Sequence, residues 1–390
     1  MKSHDDSLHL LAALVSQQLP ATDIQDHQWP ELCALASQHG LAPMLHWVAR
    51  KSSLDPTSDP RLAQLIQEAN IAALQYALLR NAQARLEQAY LKAGIPTLWI
   101  KGIALAQSLY PEPELRSMFD LDLLVPLGQK ISAVHIAQAS GYKSLVPDGH
   151  IKRLEFFAQF QSEYQFIGGT RDLIHLDLHT RLFGLDVPVP ISFDQMDWFW
   201  NQIEKLPDDK NGFWVLRPEA NLLYLCAHTI LKHGFDPSLV RYFDLHLLIS
   251  KSALDWRLIV DRSIDLRWSY AVERVLTQTQ QYFTTPIPEW IFNELRVRRS
   301  TSETTSYFTG LPGEGARWKS TMSELSHYSL KQRVQRIFAL TYPPAQYMRQ
   351  RYAIPPGQTV LPFYFYRWFD AGREAANALR HSKVRSSHRN

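Results

Sequence analysis

The chain has 390 residues, enough for two or three packed units that each bury a core. Hydrophobic residues make up 45% and charged residues 20%, and the net charge of +3 creates no global basic field that would favour nucleic acid. Two cysteines, Cys33 and Cys226, exclude a disulfide framework and a cysteine-based zinc site, and they suit a reducing cytosol.

The N-terminal apolar run is not typical of a signal peptide. Asp5 and Asp6 stand where a signal peptide needs positive charge, and His9 interrupts the run. We therefore predict a capped amphipathic helix that begins near Ser7. No apolar stretch approaches the roughly 20 residues that span a bilayer, so we expect no membrane span and a cytoplasmic location.

Apolar periodicity divides the chain into regions. Three-and-four spacing predicts an N-terminal helical region over 1–94, which ends at Gly94 as a helix C-cap. From residue 95 the period changes to short alternating strands at 95–102, 118–126 and 171–183, with helices between them. These patterns predict an α+β fold, in which a small mixed β-sheet core is embedded between helical regions. The predicted regions are 1–94 (helical), 95–187 (α/β core), 188–300 (helical domain), 301–330 (Ser-, Thr- and Gly-rich linker) and 331–390 (basic aromatic arm).

Two aspartates define the first candidate site. Asp120 and Asp122 alternate on one strand and therefore project from the same face, where they repel each other unless a cation lies between them. Oxygen ligands suit Mg²⁺ or Mn²⁺, ions that bind carboxylates together with substrate phosphates. Upstream, Gly102 lies at a strand-to-helix junction whose N–H groups could hold a phosphate, and Lys101 and Arg116 add positive charge. An isolated Asp-x-Asp pair is as often a solvated strand end.

A later strand supplies a third carboxylate. His175, Asp177 and His179 share one strand face, while Leu176 and Leu178 share the other. Asp177 is the candidate to hold a second metal or to act as the base towards an attacking hydroxyl. The His-x-Asp-x-His pattern could instead be a transition-metal site by itself, but such histidines more often form hydrogen bonds or flank an active site.

The helical run "CAHTILKHGFDPSLVRYFDLHLL" carries further polar candidates. We expect His228, Arg241 and Asp244 to line a nucleotide or acceptor pocket above the sheet. The alternative is that they are satisfied polar residues between helix and core, with Arg241 and Asp244 forming an i, i+3 pair on the helix surface. His233 fits the second interpretation better, and His150 is more typical of a loop histidine.

These motifs together resemble a known superfamily, the nucleotidyltransferases that include DNA polymerase beta. More closely, the chain resembles a family of uncharacterised bacterial nucleotidyltransferases, which show a Lys-Gly turn, an arginine before Asp-x-Asp, an Asp-Leu-His strand and a later His…Arg…Asp-Leu helix. The corresponding residues here are Lys101-Gly102, Arg116, Asp120-Leu121-Asp122, Asp177-Leu178-His179 and the run that contains His228, Arg241 and Asp244.

The resemblance implies transfer of an NMP from an NTP to a hydroxyl of a small-molecule or protein acceptor, with Mg²⁺ or Mn²⁺ as cofactor and release of pyrophosphate. Arg116 would offset the charge that develops on the pyrophosphate. The implied catalytic and metal-binding residues are Asp120, Asp122 and Asp177. The implied nucleotide-binding residues are Lys101, Gly102, Arg116, His179, His228 and Asp244.

One departure keeps a second hypothesis open. Ile103 occupies the position of the second small residue of the superfamily turn, so the turn has no serine hydroxyl for a phosphate. A catalytically silent nucleotide-binding or regulatory protein with the same fold is therefore the alternative. A glycosyltransferase with a metal-binding Asp-x-Asp is a third hypothesis, but it would need a longer Rossmann-like run before the motif than the helical first ninety residues provide.

The C-terminal arm interleaves arginines with aromatic residues. This composition could bind single-stranded nucleic acid or a membrane surface. Prolines 343, 344, 355, 356 and 362 argue against a continuous amphipathic helix, so we favour an arm that packs on the catalytic domain.

Overall fold

The computed structural model describes residues 2–52, 62–145, 162–169, 173–184, 187–206, 213–234, 238–310, 325, 329–343, 345, 348–349, 352–355, 357–369 and 372–373. The candidate His150 lies outside the described residues, as do most of the predicted linker and the end of the C-terminal arm.

Helices form most of the described structure. The α-helices are α1 (Lys2–Val15), α2 (Trp29–Gln38), α3 (Ala42–Lys51), α4 (Ala63–Lys92), α5 (Lys101–Leu109), α6 (Lys130–Ala139), α7 (Phe193–Trp200), α8 (Pro218–His233), α9 (Leu239–Lys251), α10 (Trp256–Asp265), α11 (Ser269–Phe283), α12 (Trp290–Val297), α13 (Thr301–Gly310), α14 (Leu330–Thr341) and α15 (361–369). Short 3₁₀ helices occupy Ala21–Asp23, Asp26–Gln28, Pro113–Leu115 and Leu127–Gln129.

The strands form one small mixed sheet and one hairpin. The strands are β1 (Leu98–Ile100), β2 (Asp120–Leu124), β3 (Lys143–Ser144), β4 (Glu163–Gly168), β5 (Ile174–His179), β6 (Ile203–Lys205) and β7 (Trp214–Leu216). In the five-stranded sheet the order is β1-β2-β5-β4-β3, and β6 pairs with β7. Only β2 and β5 are parallel among the described strands of the larger sheet. The fold is therefore α+β, as the sequence predicts, and it is not a doubly wound parallel sheet in its described part.

Two hydrophobic clusters hold these elements together. The cluster beside the sheet contains Leu121, Leu123, Leu176 and Leu178, which alternate with the polar residues of β2 and β5. The larger cluster joins residues of the first helices, such as Leu11, to residues of the later helices. Burial of one face of each central strand leaves the polar positions of β2 and β5 together on the other face.

Helix boundaries confirm one prediction and correct others. Gly94 has φ +68 directly after the C-cap of α4, as predicted for a helix C-terminus. Helix α1 begins at Lys2 rather than near Ser7. Residues 301–310 form a helix rather than a linker, because Glu303 accepts hydrogen bonds from the Ser269 hydroxyl and the Tyr270 N–H and is 1% exposed.

In the C-terminal arm, the amphipathic helix α14 ends at Thr341, upstream of Pro343. No continuous amphipathic helix therefore runs through the described residues of the arm, as the prolines predict. Within the described parts of the chain, none of the helices has the length and apolar character that crossing a bilayer requires.

Candidate active site

A cavity of about 520 Å³ opens where the polar face of the sheet meets the start of α5, the end of α8 and the start of α9. Its volume lies within the range of ligand sites for small molecules and cofactors. Nine of the ten residues that the sequence assigns to the pocket line it, all except Asp244, namely Lys101, Gly102, Arg116, Asp120, Asp122, Asp177, His179, His228 and Arg241.

The parallel pairing of β2 with β5 aligns the central carboxylates. Asp122 is the register partner of Asp177, so the two side chains stand side by side on one face. His179 lies two residues further along that face, and its Nε2 is 2.7 Å from Asp122 Oδ1. Ligand atoms of Asp122, Asp177 and His179 all lie within 4.8 Å of one another, a spacing that one metal ion could bridge.

This group differs in composition from the predicted set of three aspartates. Asp120 is the register partner of His175, two pairs upstream of Asp122 and Asp177, and therefore stands nearer the beginning of both strands. His179 takes the third place within ion-sharing distance. Among the described residues, His175 is not part of the group, so the hypothesis of a His-x-Asp-x-His site finds no support in this geometry.

Asp122 is the most strongly held carboxylate of the site. Its Oδ1 accepts a hydrogen bond from Lys101 Nζ at 2.6 Å and also contacts His179 Nε2. Burial would raise the pKa of Asp122, but Lys101 and His179 outweigh that effect and lower the pKa to about 2. Asp122 is therefore ionised at pH 7.

The other two aspartates have the opposite shift. Burial, followed by the charges of Asp122 and Glu163, raises the pKa of Asp177 to about 6. Burial and the charge of Asp122 also raise the pKa of Asp120. Neighbouring carboxylates whose pKa values are pushed apart in this way are suited to different chemical tasks.

The Lys-Gly turn has an unexpected backbone. Lys101, and not the glycine, lies in the left-handed region with φ +53, a conformation that costs energy for a residue with a side chain. Gly102 instead allows Arg116 and Met118 to approach the backbone closely, because a Cβ there would lie 3.2 Å from Arg116 Nη1 and 3.3 Å from Met118 Cβ. The turn thus brings the N-terminus of α5 against Arg116.

Arg116 is fixed by a buried network between the sheet region and α9. Its Nε and Nη2 donate to the two carboxylate oxygens of Asp244 at 3.0 and 2.8 Å, and the Tyr110 hydroxyl donates to the same carboxylate. Both oxygens of Asp244 are thus bonded to Arg116, and Tyr110 shares one of them, whereas the ion pairs of the described residues do not include the i, i+3 pair with Arg241 that the second interpretation allowed. Asp244 is not among the residues that line the cavity, but it holds in place Arg116, which is.

Helices α8 and α9 form the wall opposite the carboxylates. Burial, and then the charge of Lys101, holds the pKa of His228 well below its usual range. Burial and Arg241 lower the pKa of His233 to about 4, so both imidazoles are neutral at pH 7. The positive charge of this wall therefore comes from Lys232 and Arg241, which also line the cavity.

Sequence reasoning missed Lys232 and two further residues near the site, Tyr224 and Glu163. Tyr224 is fully buried beside Lys101; burial raises the pKa of its hydroxyl, and the nearby Lys101 charge opposes that shift. Tyr224 stands one helical turn before His228 on α8, a spacing that could have indicated it. Glu163 lies with its Oε2 3.7 Å from His179 Nδ1, but its strand β4 was not predicted.

A mixed sheet that presents paired carboxylates beside a helix N-terminus defines an acidic site suited to a metal ion on an α+β scaffold. The family model described as uncharacterised nucleotidyltransferase matches residues 25–284, about two thirds of the chain. The chain belongs to this nucleotidyltransferase family. No curated protein matches the chain.

Proposed function

We propose that this protein is a metal-dependent nucleotidyltransferase that moves an NMP from an NTP to a hydroxyl of a small-molecule or protein acceptor. The observation that carries the proposal is the convergence of Asp122, Asp177 and His179 in a cavity at the start of α5. Membership of a nucleotidyltransferase family supports the same class of reaction.

The donor set fits a divalent cation. Two carboxylates and one imidazole offer oxygen and nitrogen ligands, a combination that suits Mn²⁺ and is acceptable to Mg²⁺ when substrate phosphates complete the shell. A bound ion would neutralise the carboxylates, polarise a phosphate oxygen and lower the pKa of the attacking hydroxyl. Asp120, two register pairs away on the same strand face, would supply a further ligand for an ion shared with the nucleotide.

The phosphates of the nucleotide would lie between two positive surfaces. On one side, the N–H groups of the first turn of α5 point out of a helix N-terminus, which favours an anion. Arg116 adds Nη1, the one guanidinium nitrogen that does not bond to Asp244. On the other side Lys232 and Arg241 face the cavity. We assign these residues to the triphosphate and its leaving pyrophosphate.

Asp177 is the residue we propose as the proton acceptor. With a pKa of about 6 it is mostly ionised at pH 7, yet it is basic enough to accept a proton as the acceptor oxygen attacks. The new bond joins that oxygen to the α-phosphorus, the bond from the α-phosphorus to the pyrophosphate breaks, and the hydroxyl proton passes to Asp177.

The Ile103 departure gives little support to the catalytically silent alternative. The Ile103 side chain is fully buried in the cluster beside the sheet and so does not face the phosphate position. A serine there would have to turn out of that cluster to reach a ligand. The backbone N–H groups of the turn do not depend on this side chain.

The test is pyrophosphate release from each of the four NTPs with Mg²⁺ or Mn²⁺, with a cell extract as the source of acceptor. We expect release by the wild type, and loss of about three orders of magnitude or more in the Asp120→Ala, Asp122→Ala double variant and in Asp177→Asn. His175→Ala is the matched control, because His175 lies on the same strand as Asp177 but is exposed.

The outcomes separate the hypotheses. Metal-dependent release that needs the aspartates but not His175 supports the proposal, and the labelled product then identifies the acceptor. Retained activity in the folded double variant contradicts the assignment. Nucleotide binding without release under any of these conditions would favour the catalytically silent alternative instead.

A further inference from the structure

Helix α14 turns its apolar face outwards. Leu330, Val334, Ile337 and Phe338 recur at helical spacing and are between 50% and 78% exposed. Ala339, which stands off this stripe, is buried instead. A surface helix of a globular protein usually does the opposite and buries its apolar stripe, so an exposed stripe among the described residues is the kind of surface that marks an interaction site.

A second helix of the arm repeats the pattern. On α15, Leu361, Phe365 and Phe369 share one face and are between 65% and 70% exposed. The two helices are joined where α14 ends, because Trp368 Nε1 donates to the Thr341 carbonyl at 2.7 Å. We call the seven apolar residues of the two stripes the arm surface, namely Leu330, Val334, Ile337, Phe338, Leu361, Phe365 and Phe369.

The charge of this segment has one sign. Residues 325–369 contain no aspartate or glutamate. Lys331 and Arg333 are exposed and lie on either side of the α14 stripe at 100° per residue. The basic residues of the segment are Lys331, Arg333, Arg336, Arg349, Arg351 and Arg367. An apolar stripe flanked by basic residues is the pattern of helices that lie in a lipid interface.

We propose that the arm surface binds the surface of an anionic phospholipid bilayer, with the seven apolar side chains at the headgroup boundary and the basic residues at the lipid phosphates. Aromatic side chains such as Phe338, Phe365 and Phe369 suit that boundary region, and the positive segment is complementary to its charge.

The positive charge and the aliphatic residues of the arm surface argue against two other binding partners. Two copies of the arm surface that met face to face would bring two wholly basic segments together, which disfavours self-association. Single-stranded nucleic acid would use the arginines and aromatic rings, but it would leave Leu330, Val334 and Ile337 without a role, since aliphatic side chains contact neither phosphate nor stacked bases well.

The test is co-sedimentation of the full chain with vesicles of phosphatidylcholine alone or with about one third phosphatidylglycerol. We expect binding to the anionic vesicles that weakens with salt, and little binding to the neutral ones. Val334→Glu should reduce binding by about tenfold or more, because it places a charge in the exposed stripe without touching a core. Gln335→Glu is the matched control, since it adds the same charge to the neighbouring, less exposed position off the stripe.

A double variant tests the electrostatic contribution to vesicle binding. Replacing Lys331 and Arg333 with glutamine should weaken binding to anionic vesicles by about 30-fold at low salt and change neutral-vesicle binding little. The proposal is overturned if the wild type does not bind anionic vesicles. It is also overturned if the Val334→Glu and Gln335→Glu variants bind these vesicles equally well. A dimer in light scattering that Val334→Glu converts to a monomer, without vesicle binding, would show a self-association surface instead.

Discussion

Lys101 already pairs with Asp122, the carboxylate that we assign to the metal ion. Removing the charge of Lys101 should therefore strengthen metal binding. Its Nζ lies 2.6 Å from Asp122 Oδ1, the same oxygen that contacts His179. A cation that binds Asp122 must share this oxygen with the ammonium or displace it. In Lys101→Met the apolar stem is kept, while the competing charge is lost.

The size of the effect follows from the shift of Asp122. Its pKa moves from 3.8 to about 2, although burial acts in the opposite direction. One pKa unit corresponds to about 1.4 kcal/mol, so Lys101 and His179 together favour the ionised carboxylate by about 2–3 kcal/mol beyond the burial penalty. If half of this comes from Lys101, its loss should tighten Mn²⁺ binding by about five- to tenfold.

The assay is a Mn²⁺ titration followed by electron paramagnetic resonance, without nucleotide, so that turnover plays no part. Lys232→Met is the control. Lys232 lines the same cavity, so this substitution removes the same charge, but it is Lys101 that pairs with Asp122. We expect a clear gain for Lys101→Met and a smaller one for the control. Equal gains in Mn²⁺ affinity for the two variants would mean that only the overall electrostatic potential of the cavity matters. No gain for Lys101→Met would refute the idea that Lys101 competes with the metal ion for Asp122.

Three further predictions test other parts of the site. Mn²⁺ affinity should fall by up to about tenfold per pH unit below pH 6, because the raised pKa of Asp177, about 6, leaves that ligand protonated there; a flat titration between pH 5 and 7 would contradict this. Asp244→Asn should lower the free energy of unfolding in urea by about 3–5 kcal/mol, because Arg116 would remain buried without its counter-charge. Ile103→Ser should cost about 3 kcal/mol in the same assay, through lost burial and a hydroxyl placed in an apolar cluster, and should leave nucleotide affinity in a filter-binding assay unchanged.

Strand alternation was sufficient to locate the centre of the site. The polar residues of β2 and β5 alternate with leucines, so their common face could be read from the sequence, and the parallel register then placed Asp122 beside Asp177. Strand β4 carries only two strongly buried apolar residues, Tyr164 and Phe166, which is too short a pattern to separate it from a loop. Glu163 was missed for that reason.

Long-range pairing was beyond the reach of local rules. The spacing of Arg241 and Asp244 allows a helix-surface pair, but the carboxylate binds Arg116, 128 residues earlier in the chain. Helical spacing describes only neighbours on one helix, whereas a buried carboxylate takes whichever cation desolvation and packing bring to it. The side chain predicted to meet a nucleotide therefore acts on the site through Arg116.

Lys101 shows why residue type alone does not assign a role within a site. Twenty-one residues separate it from Asp122, and a lysine before a glycine turn predicts a contact with phosphate. The antiparallel pairing of β1 with β2 sets Ile100 opposite Asp122, so the next residue passes directly over that carboxylate. The left-handed backbone at Lys101 is compatible with this position of the ammonium. The chain thus supplies one cation of its own to a crowded group of carboxylates, and an incoming triphosphate would offer Lys101 a second anionic partner while it frees Asp122 for a metal ion.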